Sequence, residues 1–278
     1  MHSADTVISR RTSALAAWEV PLLAALLAAD AASPTGFRPQ DVRFFFLLFT
    51  NWMGDDHLRP GADLDATQVR RTLQRLAGDG LAHGVGAGRA PRWSLVATGV
   101  VRLVEALTDP RAPRRFEEVV LIATVAVSYV DTIAARARGG AGASGAPGGA
   151  SGVGRTAERR VRARLDPRAI LRAERRRLGD ALADLEARRD AGLVLGAAAR
   201  EALAAGADPL GAAARLEAEG RPYQLHAMRP LHELIEALPE PLRRFEMEQG
   251  MELRARWMFA PLCEELRGRI AVLARLEG

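Results

Sequence analysis

The chain of 278 residues contains no lysine and one cysteine, Cys263. A single cysteine excludes an intrachain disulfide and argues against a cysteine-ligated metal site. We expect Cys263 to be a buried thiol, because it falls within an apolar helical pattern. The longest strongly apolar run, 119–130, is too short to cross a bilayer, and the polar N-terminus does not read as a signal peptide. These absences predict a cytoplasmic protein that makes no contact with a membrane.

The sequence also lacks the residue patterns of catalysis. His226 and His232 are six residues apart, which places them too far round a helix to share a metal ion. The glycine-rich tract at 139–154 has neither the Lys–Ser pair nor the preceding strand of a phosphate-binding loop. We therefore predict that the protein is not an enzyme and that it has no metal and no cofactor.

Composition changes along the chain predict its domain organisation. Half of residues 139–154 are glycine, which is typical of a flexible linker. We predict four segments: a first domain with N-terminal helices at 1–110, a long apolar connecting helix at 111–138, the linker at 139–154 and an all-helical domain at 155–278.

Apolar periodicity predicts most of these residues to be helical. In the first part we predict a helix at 12–31 that is interrupted near Pro21, and helices at 39–53 and 114–137. The third is apolar almost continuously from Val119 to Val130, so we expect it to pack against a second domain or a second subunit.

Beyond the linker we predict a long helix at 155–189 with a break or restart at Pro167, and further breaks at 206–209, 220–222, 239–241 and Pro261. The last two helices carry apolar stripes at Leu242, Phe245, Gln249, Leu253 and Trp257, and at Leu262, Leu266, Ile270 and Leu273. The ten arginines of 155–177 either pair with carboxylates elsewhere or form a second phosphate-binding surface.

The most informative stretch is 64–99, which predicts a helix, a tight exit, a hairpin and the start of another helix. On a helical wheel Val69, Leu73 and Leu76 form one apolar stripe. The remaining face has no carboxylate and offers the polar side chains of Thr67, Gln68, Arg70, Arg71, Gln74 and Arg75. Guanidinium and amide donors suit base edges and phosphates, so we predict that these six residues bind DNA.

The flanks of this helix carry matching signals. Asp65 is placed to cap its N-terminus, and glycines at 78 and 80 favour a left-handed exit. Leu81–Val85 and Trp93–Val96 are predicted to pair as two strands. The hairpin tip between them carries Arg89 and Arg92, which we expect to reach a minor groove or a run of phosphates.

This stretch resembles the recognition helix and wing of bacterial winged-helix transcription regulators of the MarR, PadR and PaaX types. Their pattern is R-x-L-x-x-L-x-x-x-G-L, a wing with G-R, and then L-T-x-x-G. Comparable places are taken by Arg71, Leu73, Leu76, Gly80, Leu81, Gly88, Arg89, Leu95, Thr98 and Gly99, with Ala97 as one extra residue. The resemblance covers residues 41–108 at most. It implies a mainly α protein, with an N-terminal winged helix-turn-helix domain and a two-stranded wing, followed by an all-helical C-terminal domain.

One departure from that family separates two functions. Such regulators usually have a full positioning helix before the recognition helix, whereas Pro60 and Gly61 interrupt the segment between Trp52 and Asp65. We expect that helix to be very short or absent. The first function is a transcription regulator that binds double-stranded DNA as a homodimer, with a small-molecule or protein effector. The alternative is a non-enzymatic interaction or scaffold protein that uses its winged-helix module for protein contacts.

Overall fold

A computed structural model describes residues 19–53, 64–86, 91–139, 152–219 and 230–278. These residues are mainly helical, as predicted, and their only sheet is one antiparallel pair of strands. The chain divides into two compact units, with the boundary between Leu171 and Arg172.

The first unit contains six helices and the two strands of the described residues. In chain order they are α1 (Glu19–Ala32), α2 (Pro39–Met53), α3 (Ala66–Gly78), β1 (Ala82–Val85), β2 (Arg92–Leu95), α4 (Ala97–Leu107), α5 (Phe116–Ala137) and α6 (Gly152–Arg164). Pro21 lies in the first turn of α1, where the missing N–H leaves no intrahelical bond unmade. The predicted interruption at Pro21 is therefore the start of the described helix.

The long apolar helix α5 lies in the core of the first unit. Residues such as Leu121, Ile122, Val125 and Ala126 are buried against α1, α2, α4 and α6. Within the described ranges α5 is the one helix that is long and apolar enough to cross a membrane, and its packing here is that of a core helix. Its apolar face, on which the predicted contact with a second domain or subunit rested, is covered by its own unit.

The predicted linker ends too late in the sequence. Helix α6 already begins at Gly152, and Gly154 packs so closely that a Cβ there would lie 2.5 Å from the Arg138 carbonyl oxygen. Val161 and Leu165 of α6 are buried in the same core as α5. Residues 155–171 therefore belong to the first unit, because their apolar side chains complete its core. Residues 140–151 lie outside the described residues.

The second unit is helical throughout its described residues. Helix α7 (Pro167–Ala204) begins at the predicted Pro167 restart and crosses from the first unit into the second. It continues well beyond the predicted end at 189, because residues 190–204 are rich in alanine and contain no proline. Gly206, with a φ of +92°, lies just after the end of α7, in the connection that leads to α8 (Pro209–Ala218). Helix α9 (Leu231–Glu236) follows, and the predicted break at 220–222 lies outside the described residues.

The predicted break at Pro261 is wrong. Helices α10 (Glu240–Phe245), α11 (Met251–Arg254) and α12 (Ala260–Glu277) follow one another without interruption, joined by two π-helical segments, Glu246–Gly250 and Ala255–Phe259. The second π segment ends just before Pro261, where the wider turn accommodates a residue that has no N–H to donate.

The π segments also turn a different face of this helix inward. Buried residues recur at every fourth position: Met247, Met251, Ala255, Phe259 and Cys263. A regular α-helix rotates such a series by roughly 160° over sixteen residues. Each π segment inserts about one residue, and the two segments together cancel most of this rotation. The predicted stripe of Leu242, Phe245, Gln249, Leu253 and Trp257 is consequently exposed. The expectation that Cys263 is a buried free thiol is confirmed.

Candidate nucleic-acid interface

Helix α3 is fixed at both ends by hydrogen bonds that its sequence predicts. Asp65 Oδ1 accepts the Gln68 N–H at 2.7 Å, and Gln68 Oε1 accepts the Asp65 N–H at 3.1 Å, which forms a capping box. At the other end Gly80 has a φ of +69°, and the Leu81 N–H donates to the Leu76 carbonyl at 2.8 Å. This is a Schellman exit, so the direction in which the chain enters the hairpin is set locally.

The wheel assignment of α3 agrees with the structure. Val69 and Leu73 are fully buried, and Leu76 is half-buried against the same core. All six predicted contact residues of the helix are exposed, namely Thr67, Gln68, Arg70, Arg71, Gln74 and Arg75. One of them has a structural role as well, since the Gln68 side-chain oxygen Oε1 accepts the Asp65 N–H in the capping box. Its amide nitrogen remains the group that can face a ligand.

The arginine side chains of α3 find no partner among the residues that the structure describes. The guanidinium groups of Arg70, Arg71 and Arg75 form no hydrogen bond or ion pair with any of them. Elsewhere arginines on helices commonly pair with a carboxylate one turn away, as Arg188 does with Asp184 and Arg215 with Glu219. No carboxylate occurs between Ala66 and Gly78 to do the same. The exposed face of α3 therefore presents three uncompensated guanidinium groups.

The hairpin beside α3 is built as predicted, but Arg92 is placed differently from the prediction. Strands β1 and β2 pair antiparallel, with His83 opposite Ser94. Arg92 is the first residue of β2 and lies opposite Val85. Its side chain is bound within the chain, because NH1 donates to Thr35 Oγ1 at 3.1 Å and to the Gly36 carbonyl at 3.2 Å. This side chain ties β2 to the segment before α2. Arg89 lies outside the described residues.

A third segment pairs with the hairpin, which sequence reasoning missed. The Phe37 N–H donates to the Trp93 carbonyl at 2.8 Å, and the Trp93 N–H donates back at 2.7 Å. Phe37 is fully buried. This bridge joins the connection between α1 and α2 to β2, so β2 has β1 on one side and Phe37 on the other.

A buried carboxylate anchors the base of the hairpin. Asp30 at the end of α1 accepts the Leu95 N–H at 3.0 Å and forms an ion pair with Arg136 of α5 at 3.4 Å. Burial raises the pKa of the Asp30 carboxyl above its ordinary value, while the Leu95 hydrogen bond and the charge of Arg136 act in the opposite direction. These contacts connect α1, β2 and α5 beneath the hairpin.

The arginine-rich segment at 155–177 forms some of the ion pairs predicted for it, and its predicted phosphate-binding role stays a prediction. Three of its arginines form ion pairs within the chain, Arg160 with Glu105, Arg162 with Asp131 and Glu158, and Arg177 with Glu174. The guanidinium groups of Arg155, Arg159, Arg164 and Arg176 have no partner within the described ranges. The segment is thus partly neutralised within the chain.

Sequence reasoning also missed an exposed apolar ridge on α2. Phe44, Leu48 and Trp52 follow at four-residue spacing and are 62%, 50% and 55% exposed. The sequence analysis assigned no faces to this helix, and in the structure Val42, Phe46 and Phe49 are the residues that face inward.

Within the described ranges no group of three or more histidine, cysteine or acidic side chains is arranged to hold a metal ion. Comparisons with family models, with curated proteins and with solved structures find no match for this chain. The resemblance to winged-helix regulators therefore stays a prediction, carried by the residues quoted for it.

Proposed function

We propose that the protein is a DNA-binding transcription regulator whose first unit is a winged helix-turn-helix head. In this proposal α3 is the recognition helix and the β1–β2 hairpin is the wing. Helix α2 takes the place of the positioning helix, because α1 precedes it and packs against it. The segment at 54–63, where we expected a positioning helix to be very short or absent, lies outside the described residues.

The observation that carries the proposal is the set of three arginines on the exposed face of α3, whose guanidinium groups pair with nothing in the described part of the chain. A guanidinium left without a carboxylate keeps all its donors for an external acceptor, and its fork matches phosphate oxygens and the edge of guanine. Gln74 adds an amide on the same face. The first 110 residues hold as many acidic side chains as arginines, so positive charge is focused on this helix rather than spread over the surface.

The proposal includes two further expectations. A helix-turn-helix protein usually reads a palindromic site with two heads, placed about one turn of DNA apart. We therefore propose a homodimer, with the second unit serving dimerisation and the binding of a small-molecule or protein effector. A regulator of this kind works in the cytoplasm, where its DNA is.

Substitutions on α3 test the DNA-binding role. Arg71→Ala and Gln74→Ala should each weaken binding to a selected duplex by about 1–3 kcal/mol. Their melting temperatures should stay at the wild-type value, because both side chains are exposed. Fluorescence anisotropy with a labelled duplex, selected from random sequence by the wild-type protein, measures affinity. Arg215→Ala is the matched control, since it removes an exposed arginine that is already paired with Glu219. Wild-type affinity in both α3 variants contradicts the proposal.

Salt dependence separates the contacts of the three arginines. An arginine that neutralises one phosphate adds about 0.9 to the slope of log affinity against log salt. Arg70→Ala and Arg75→Ala should therefore lower that slope by about one unit each if they bind phosphates. An arginine that reads a base changes sequence preference instead.

The apolar ridge of α2 favours a second candidate function. Three large apolar side chains exposed in a row are typical of a surface that binds another protein. In a scaffold protein the first unit would dock a partner through Phe44, Leu48 and Trp52, and the arginines of α3 would border that contact. The two candidates differ in a direct measurement, because the scaffold protein shows no saturable, salt-dependent binding to duplex DNA.

A further inference from the structure

Among the described residues, a long row of exposed apolar side chains lies in the second unit. Six side chains of the C-terminal helix form what we call the C-terminal stripe: Leu242, Phe245, Leu253, Trp257, Met258 and Leu262. Trp257 is 77% exposed, and the others are between 39% and 51% exposed. Phe245, Leu253 and Trp257 share a face because the two π segments hold residues four and eight apart in line, as they do for the buried series on the opposite side.

We propose that a second copy of this chain covers the C-terminal stripe. An aromatic side chain covers about 150–250 Å² and an aliphatic one less, so the exposed fractions of these six residues amount to roughly 500 Å² of apolar surface on this helix. The largest apolar patch of a typical monomer covers about 300–600 Å² and is often functional. A stable pair buries about 800 Å² on each partner. The stripe alone thus provides most of the area that one protomer needs.

The surroundings of the stripe fit an interface between identical copies. Along one edge Arg244 pairs with Glu248 and Arg256 with Glu252, both at 2.7 Å, so charge there is satisfied within the chain and forms a polar rim. Gln249 lies in line with the apolar residues and is exposed. An amide both donates and accepts, so two copies of Gln249 can satisfy each other across a two-fold axis.

The ridge on α2 is the weaker candidate for self-association. Its three exposed side chains offer roughly 300 Å², well below the share that a stable pair needs from each partner. The C-terminal stripe also replaces α5 as the dimer contact, since the buried face of α5 is covered within its own unit.

This pairing rests on the proposed function, because it gives the regulator the two heads that a palindromic site needs. The dimer is measured without DNA, so that a failure of the pairing can be told apart from a failure of DNA binding. Sedimentation velocity of the full chain should show a dimer at tens of micromolar. Trp257→Glu should weaken the dimer by about 30-fold or more, as for a central interface residue. Val127→Glu is the matched control, because Val127 is 71% exposed on α5 and should leave the dimer intact. Circular dichroism reports whether each variant keeps its helices, and Leu253→Gln is a milder change if Trp257→Glu aggregates.

Two results overturn the proposal. The first is a monomer at all concentrations, whether the stripe is then covered by the first unit of the same chain or by a different protein. The second is a dimer that survives both stripe substitutions. A dimer that is lost in the stripe variants and kept in Arg71→Ala supports the pairing even if no variant binds DNA.

Discussion

A methyl group added at Gly99 tests the packing that holds α4 against the exit of α3. A Cβ at this position would overlap the Leu81 carbonyl oxygen, and it would lie 2.8 Å from the carbonyl carbon and 3.1 Å from Cα. The Leu81 backbone cannot retreat freely, because its N–H donates to Leu76 and its carbonyl accepts the Val96 N–H at 3.1 Å. Gly99→Ala therefore has to displace α4 or break that second hydrogen bond.

The expected cost follows from these contacts. Overpacking a well-ordered site costs about 1–3 kcal/mol, and a strained backbone hydrogen bond costs about 1 kcal/mol. The better helix propensity of alanine returns at most about 1 kcal/mol. The net destabilisation is about 2 kcal/mol, which lowers the melting temperature of a unit of this size by roughly 4–8 °C.

Thermal unfolding followed by circular dichroism measures this effect. Gly179→Ala is the matched control, because Gly179 lies within α7 and a Cβ there meets nothing within 4 Å. That variant should be as stable as the wild type or more stable by up to about 1 kcal/mol. If Gly99→Ala melts at or above the wild-type temperature, the close contact between α4 and Leu81 does not exist in solution.

Two further substitutions test the core of the first unit. Val125→Asp places an unpaired carboxylate at a fully buried position of α5, which costs several kcal/mol and should unfold the unit. Val127→Asp, on the exposed side of the same helix, should melt like the wild type. A folded Val125→Asp chain with wild-type stability contradicts the burial of Val125. Asp30→Asn tests the buried carboxyl, whose raised pKa means that its contribution to stability is complete below the ordinary value of 3.8 and is lost as pH rises through the folded-state pKa. The melting temperature of the wild type minus that of Asp30→Asn should therefore fall as the pH rises above about 4, and a constant or rising difference refutes the shift.

Local signals in the sequence were sufficient for α3 and its ends. The spacing of Val69, Leu73 and Leu76 places the arginines outward, because a short, regular helix obeys a constant 3.6-residue period. The roles of Asp65 and Gly80 depend only on neighbouring backbone groups, so the residue types at these two positions predict both caps of the helix. The six exposed residues of the candidate interface could be named from the sequence for the same reason.

Longer-range features were decided by tertiary structure. The anchoring of Arg92 to Thr35 and Gly36 joins residues more than fifty positions apart, which no local pattern encodes. The apolarity of α5 indicates burial but does not identify what buries it, and the structure assigns α1 and α6 to that role.

The C-terminal helix shows the physical limit most clearly. Its sequence determines that it is helical and that it carries two apolar series, one at Met247, Met251 and Ala255 and the other at Phe245, Leu253 and Trp257. Which series faces inward depends on two π segments, and each of these changes the rotation of everything that follows. A helical wheel with a fixed period cannot predict this change in rotation, because the wider turns form only when packing against the rest of the unit favours them. The sequence therefore determined the helices and the exposed arginines of α3, and the tertiary structure decided which apolar faces remained uncovered.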